Sequence, residues 1–183
     1  MRVERRAERR GARIHDRLGV GQIIVPGRRR GVRETGGSSG IGRAIAVAAA
    51  RAGADVALTY RTNEPGAREV EREIQAVGRR AALFQLDLTK GASLRAVGPA
   101  AFAALGRVDA WVNNAGGDIL TGAGASLSDI EKLDLLMAVD LRGTMLASWQ
   151  AAEILAAADG GVIINMSWDH VLTGMAGRNP ELF

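Results

Sequence analysis

The chain has no cysteine, two histidines (His15 and His170), one tyrosine (Tyr60) and two lysines (Lys90 and Lys132) in 183 residues. Without cysteine there are no disulfides and no thiolate metal site, and two histidines far apart do not form a ligand cluster, so no metal is expected. His170 reads as an ordinary loop residue. No run approaches the roughly 18 apolar residues that a membrane-spanning helix needs, and Leu18 to Val25 is too short and glycine-broken for a signal-peptide core. The arginine-rich start lacks the serine of a transit peptide and carries Glu4, Glu8 and Asp16. A cytoplasmic protein without a membrane partner is therefore expected.

Charge is unevenly placed. Residues 1–33 hold 11 arginines against 3 acids, a net of +8, whereas residues 34–183 carry 13 basic and 17 acidic residues, a net of −4. The sequence pI near 10.5 thus reflects the first segment. A basic arm can hold phosphates, but this one has no interleaved aromatics for base stacking, so nucleic acid is not the expected partner. The strand that should lead into Thr35 reads Arg28-Arg29-Arg30-Gly31-Val32-Arg33-Glu34, too charged to be buried cheaply in a sheet. Gln22 to Val25 is an alternative strand, interrupted by Pro26 and Gly27. Residues 1–33 are accordingly expected to be an extension foreign to the fold, as a misplaced start or a frameshift would produce, and 34–183 a partial nucleotide-binding domain.

From Thr35 onward the chain alternates. Apolar positions Ile41, Ala44, Ile45, Ala48, Ala49 and Ala52 recur at helical spacing before Gly53, where a C-terminal cap is expected. Asp55 to Tyr60 reads as a buried strand, Pro65 to Val77 as an amphipathic helix and Ala81 to Leu86 as a strand. Lys90 to Leu105 reads as a helix, Asp109 to Asn113 as a strand, Ser128 to about Ala158 as one or two helices and Val162 to Met166 as a strand. Ser128 and Glu131 have capping-box spacing. Such alternation predicts an α/β, Rossmann-type doubly wound parallel sheet that binds ligands at the strands' carboxyl ends, here with a degenerate first strand and the last strands absent.

The most specific segment is Thr35-Gly36-Gly37-Ser38-Ser39-Gly40-Ile41-Gly42, placed to open the first helix. Gly36 permits a tight turn, Gly40 removes a Cβ from the path of phosphates, and Gly42 lets helix and sheet pack closely. The amides and the helix dipole then favour an anion, which points to a dinucleotide. Asp87-Leu88-Thr89 follows the third expected strand and Asn113-Asn114-Ala115-Gly116 the fourth. Taken singly, Asp87 is a turn residue and the asparagine pair a β-turn.

In this order the three motifs resemble the short-chain dehydrogenase/reductase family, from about Thr35 to the C-terminus, with the ketoacyl-reductase or sugar-dehydrogenase branches nearest. The resemblance implies NAD(P)-dependent hydride transfer between a carbonyl and an alcohol. It implies that Thr35 braces the loop, that Gly36, Ser38, Ser39, Gly40, Ile41 and Gly42 line the pyrophosphate, that Asp87 and Leu88 flank adenine, and that Asn114, Ala115 and Gly116 lie beside a ribose. An acid at the end of the second strand would bond a ribose 2′-hydroxyl, but that end reads Tyr60-Arg61-Thr62-Asn63. Arg61 is the expected partner of a 2′-phosphate, so NADP is preferred over NAD. A solvated loop arginine is the alternative for Arg61, and Arg43 has the same ambiguity.

Hydride transfer also needs a proton donor of tuned pKa, which the family supplies as Tyr-x-x-x-Lys. Tyr60 is followed at that spacing by Glu64, and Leu86 and Ser128 stand four residues before Lys90 and Lys132, so the pattern is absent. Asp140 occupies the position of a family asparagine, and Ser167 remains as a candidate catalytic hydroxyl, with Trp168 where another is usual. Counting onward places the tyrosine near Glu181 or Phe183. The chain is expected to be catalytically incomplete, with a small carbonyl or alcohol as substrate if active, and a homo-oligomer through the apolar helices around Leu133 to Leu155, a stripe that could instead face the sheet. Trp111, Trp149 and Trp168 read as core or interface. The alternative is a nonenzymatic nucleotide-binding or dimerising subunit, or a nucleic-acid binder working through the arm.

Overall fold

The structure is a computed structural model, and it describes residues 30–158 and 160–167. The extension before Arg30, the Gln22 to Val25 alternative, His15, Trp168, His170, Glu181 and Phe183 lie outside the described residues. Five parallel strands form one sheet in the order β3-β2-β1-β4-β5. They are β1 (Arg30–Glu34), β2 (Ala54–Tyr60), β3 (Ala81–Gln85), β4 (Ala110–Asn113) and β5 (Val162–Asn165). The helices α1 (Gly40–Arg51), α2 (Glu64–Ala76) and α3 (Gly91–Leu105) fill the first three crossovers, and α4 (Gly122–Ala125), α5 (Asp129–Leu136) and α6 (Thr144–Ala157) lie between β4 and β5. The order reverses at β1, which makes the mouth between β1 and β4 the switch point where such sheets take ligands.

One expectation is corrected. Arg30 to Glu34 do form a strand, and it is the central one: Arg33 pairs in register with Ala57 on one side and Trp111 on the other. The ladder is secured locally, because the Gly31 amide donates to Asp109 Oδ2 at 2.9 Å and the Thr35 amide to the Val112 carbonyl at 3.0 Å. Ionisable side chains lose their solvation here, but the backbone pairs along all five residues with β2 and over Val32 to Glu34 with β4, and tertiary pairing overrides the unfavourable pattern. The cost remains visible in Arg33 and Glu34, both 0% exposed.

The core is double-sided, as alternation along buried parallel strands requires. Val32, Val56, Leu58 and Val112 face α1 and α2, meeting Ala46, Val47, Ala50, Val70 and Ile74. On the other face Trp111 and Val108 meet Ala151 and Leu155 of α6, while Ala57 packs on Ala101 and Leu105 of α3. Trp111 is thus core, and Trp149, 61% exposed, is surface. Gly53 has φ +97°, the left-handed geometry expected just past α1.

The predicted capping box is formed: Ser128 Oγ accepts from the Glu131 amide at 3.4 Å and the Glu131 carboxylate takes the Ser128 amide at 2.8 Å. The long helical stretch is divided by a π-helical segment over Met137–Gly143, which turns Val139 into the core and sets Asp140 beside Gly117. Its outer surface carries Ile130, Leu133, Met137, Leu141, Met145 and Trp149, exposed apolar side chains at intervals of three or four residues. Among the described residues no helix is long and apolar enough to cross a membrane.

Candidate functional site

A groove of about 640 Å³ opens at the carboxyl ends of β1, β2 and β4. Its floor is the glycine turn. Gly36 has φ +81°, and a Cβ there would stand 3.2 Å from Ala115, so both conformation and space call for glycine. Gly40, at φ +53°, has nothing within 4 Å of its Cβ position, which leaves the wall above α1 open. At Gly42 a Cβ would come 2.6 Å from Glu34 Oε1 and 2.7 Å from Asn114 Nδ2, so α1 approaches β1 through this residue.

Ser39 is the N-cap of α1 but makes no side-chain capping hydrogen bond, and no acid sits in the first turn. The first amides of α1 therefore have no intrahelical partner, and the helix presents its positive end to the groove. An open cradle, uncapped amides and the absence of an acid fit a pyrophosphate.

Thr35 ties the turn to the neighbouring loop. Its Oγ1 accepts from the Asn114 amide at 2.8 Å and the Ala115 amide at 3.0 Å, and Asn114 Nδ2 returns a bond to the Thr35 carbonyl at 3.1 Å. This lattice holds Asn114, Ala115 and Gly116 along the groove wall.

At the other wall Arg61, beyond β2, lines the groove with Thr62 and Asn63. Asn63 caps α2 through the Gly66 amide at 3.1 Å and donates to the Ser38 carbonyl at 3.4 Å, fixing this corner to the glycine turn. The β2 acid, Asp55, is at the far end, where Arg80 holds it at 2.8 Å; burial alone would raise its pKa, but the bonds from Arg80 keep it below the ordinary carboxylate value. Asp87 lines the groove and also makes a turn, accepting from the Thr89 hydroxyl at 2.6 Å and amide at 3.0 Å, bonds that lower its pKa. Leu88 beside it is buried and lines the same wall.

The structure thus brings the predicted cofactor residues to one groove, with Thr35 as the brace behind them. It does not bring the two catalytic candidates to the groove lining. Ser167 is exposed just past β5, and Asp140 is exposed on the π-helical segment, where its Oδ1 accepts from the Gly117 amide at 2.7 Å. Partial desolvation raises the Asp140 pKa and the Gly117 bond opposes it.

Sequence reading missed two features. Asp118, Thr121 and the glycines of α4 form part of the groove wall, although their stretch has no period that would announce it. The second is Glu34, read as a charge that spoils a strand: its Oε1 accepts from Asn114 Nδ2 at 3.2 Å, its Oε2 has no hydrogen-bond partner among the described residues, and burial pushes its pKa up to about 8.

Comparison with known proteins agrees with this geometry. The family described as short chain dehydrogenase matches residues 32–179. The chain is 39% identical over 140 residues to 3beta-hydroxysteroid dehydrogenase 1 of Eggerthella lenta, covering 74% of this chain and 52% of that protein. Among solved structures, a short chain dehydrogenase from Burkholderia cenocepacia in complex with NADP has a TM-score of 0.72 at 33% identity, covering 82% of this chain and 60% of that one. Acetoin dehydrogenase from Enterobacter cloacae has a TM-score of 0.69 at 31% identity, covering 80% and 57%. The chain spans about half the length of the curated relatives it matches. By motif order, sheet order and these matches, the chain belongs to the short-chain dehydrogenase family.

Proposed function

We propose that these residues form the cofactor-binding part of an NADP-preferring oxidoreductase that transfers hydride between a small carbonyl and its alcohol. The observation that carries this reading is the uncapped start of α1 beneath an open Gly40, with Arg61 on the same groove. When bound, the nicotinamide would supply the hydride. The chain's own part is to bind and orient: the α1 amides hold the pyrophosphate, Asp87 and Leu88 flank adenine, Asn114 to Gly116 stand along a ribose, and the Arg61 guanidinium pairs with a 2′-phosphate as a fork of donors. The corresponding relative bound to NADP is consistent with this preference.

Titration with NADPH and NADH, followed by energy transfer from tryptophan, tests the reading. Saturable binding that favours NADPH is expected, and Arg61→Ala is expected to weaken NADPH about tenfold or more while leaving NADH nearly unchanged, as for a charged hydrogen bond worth roughly 1.5–3 kcal/mol. Equal loss for both ligands would refute the assignment of Arg61. Because the 183 residues hold no Tyr-x-x-x-Lys, turnover of ketones by this chain is expected at background. A clear rate lost on Ser167→Ala would reverse that.

The stripe from Ile130 to Trp149 favours self-association as well, since six large apolar side chains stand exposed at intervals of three or four residues from α5 through the π-helical segment into α6. Met145→Lys with Trp149→Glu is expected to convert an oligomer to monomer in sedimentation velocity. An oligomer unchanged by both substitutions would place the interface elsewhere.

A further inference from the structure

Glu34 is not among the residues that line the groove, yet it lies directly beneath the glycine turn. Strand alternation sends its side chain to the α1 face of the sheet, opposite to that of Arg33. There it is fully buried, and it touches the dinucleotide loop at both ends. One carboxyl oxygen stands 2.6 Å from the Cβ position of Gly42, in the first turn of α1; the other abuts that of Gly37 and has no hydrogen-bond partner among the described residues. Only the absence of side chains at Gly37 and Gly42 leaves room for it. The same carboxyl holds Asn114, accepting from Nδ2 at 3.2 Å. It therefore contacts the turn, the helix start and the β4 loop together.

We infer that Glu34 is a proton-sensitive support of the dinucleotide loop: as a neutral acid it leaves the helix start free to hold an anion, and on ionisation it weakens that hold. This rests on the reading of the groove as a dinucleotide site. A carboxylate in this position places a fixed negative charge against the same helix N-terminus that would receive the pyrophosphate, so the two anions compete for one positive potential. Burial raises the cost of that charge and keeps the acid neutral up to about pH 8; the Arg33 guanidinium on the strand itself and the Asn114 amide oppose the shift. Around the carboxyl, α1 contributes Gly42, β2 contributes Leu58 beside Gly37, and the β4 loop contributes Asn114, none of which titrates.

The test is NADH and NADPH binding by the full chain from near pH 6.5 to near pH 9, in parallel with Glu34→Gln and Glu34→Val and with far-UV circular dichroism at each pH. If only the neutral form binds, the parent's Kd rises by about tenfold between pH 7 and pH 9, the limit set by one proton titrating near 8. Ionisations of the ligand and of other side chains are common to all three proteins, so both variants are expected to lack this added rise. The same slope in the parent and in either folded variant overturns the inference, as does parent binding that is flat with pH. Loss of helical signal in the parent at pH 9 also overturns it, because the carboxyl then acts on folding and not on the loop. Absence of binding by all three proteins at pH 6.5 refutes the dinucleotide site itself and this inference with it, a result distinct from measurable binding that ignores Glu34.

Discussion

Replacing Arg33 by leucine and Glu34 by valine is expected to stabilise the fold by about 1–4 kcal/mol, the range seen when buried ionisable groups give way to packed apolar residues. Arg33 is wholly buried, and none of Nε, Nη1 and Nη2 has a hydrogen-bond partner among the described residues. Its compensation is the face of Trp111, 4.0 Å from the guanidinium carbon, worth about 2 kcal/mol when desolvated. Against this stands a desolvation cost of several kcal/mol per ion, which pushes the Arg33 pKa down to about 9. Adjacent residues of a strand point to opposite faces, so Arg33 and Glu34 do not neutralise each other by contact.

The same substitution removes a pH dependence whose sign follows from Glu34. Its folded pKa, about 8, lies above the ordinary value of 4.5, so the folded state binds the proton more tightly than the unfolded state. The associated stability is fully present below about pH 4.5 and is lost as pH rises through about 8. Urea unfolding at pH 6 and pH 8.5 should show a lower midpoint for the parent at the higher pH, and a smaller change for the double variant. A double variant less stable than the parent, or with the same slope, would show that the Arg33 charge and the Glu34 carboxyl are accommodated by means other than their present contacts.

These two residues also mark the boundary of what the sequence discloses. The segments from Gly40 to Gln85 were legible because their periods and stops are local: Asn63 caps α2 through an amide three residues away, and Ser128 and Glu131 cap α5 in the same way. The glycine turn was legible because the required residue type follows from backbone geometry at Gly36 and from close approach at Gly42. β1 was not, since its side chains argue against burial and its place is set by ladders to β2 and β4, the latter nearly eighty residues away. The network at the end of β4 was hidden for the same reason: Asn113 Nδ2 donates to Ser148 Oγ at 3.0 Å and Asn165 Oδ1 at 2.8 Å, across sequence separations of 35 and 52 residues. The π-helical turn at Met137–Gly143 leaves no trace in the pattern, because apolar residues continue at helical spacing from α5 into α6.

The brace behind the groove gives the second large effect. Thr35→Val keeps the shape of the side chain and its methyl, but removes the oxygen that accepts from the Asn114 and Ala115 amides at 2.8 and 3.0 Å. Each buried donor left without a partner costs about 1–3 kcal/mol, and partial exposure of this loop moderates the sum, so a loss of about 2–4 kcal/mol is expected. Thr35→Ser retains the acceptor and should recover most of it, giving up mainly the methyl's burial of roughly 1 kcal/mol. Binding should respond beyond stability. Asn114 also carries bonds to the Thr35 carbonyl and to Glu34, so releasing its amide lets the Asn114 to Gly116 wall move relative to Gly36, against which Ala115 packs. A folded Thr35→Val protein is therefore expected to bind NADPH about tenfold or more weakly, since a misplaced wall forfeits contacts that the glycine turn alone cannot replace. Urea unfolding and the nucleotide titration on one preparation separate the two effects. A valine variant within about 0.5 kcal/mol of the parent would mean that water satisfies both amides and that Thr35 is not the brace of this loop.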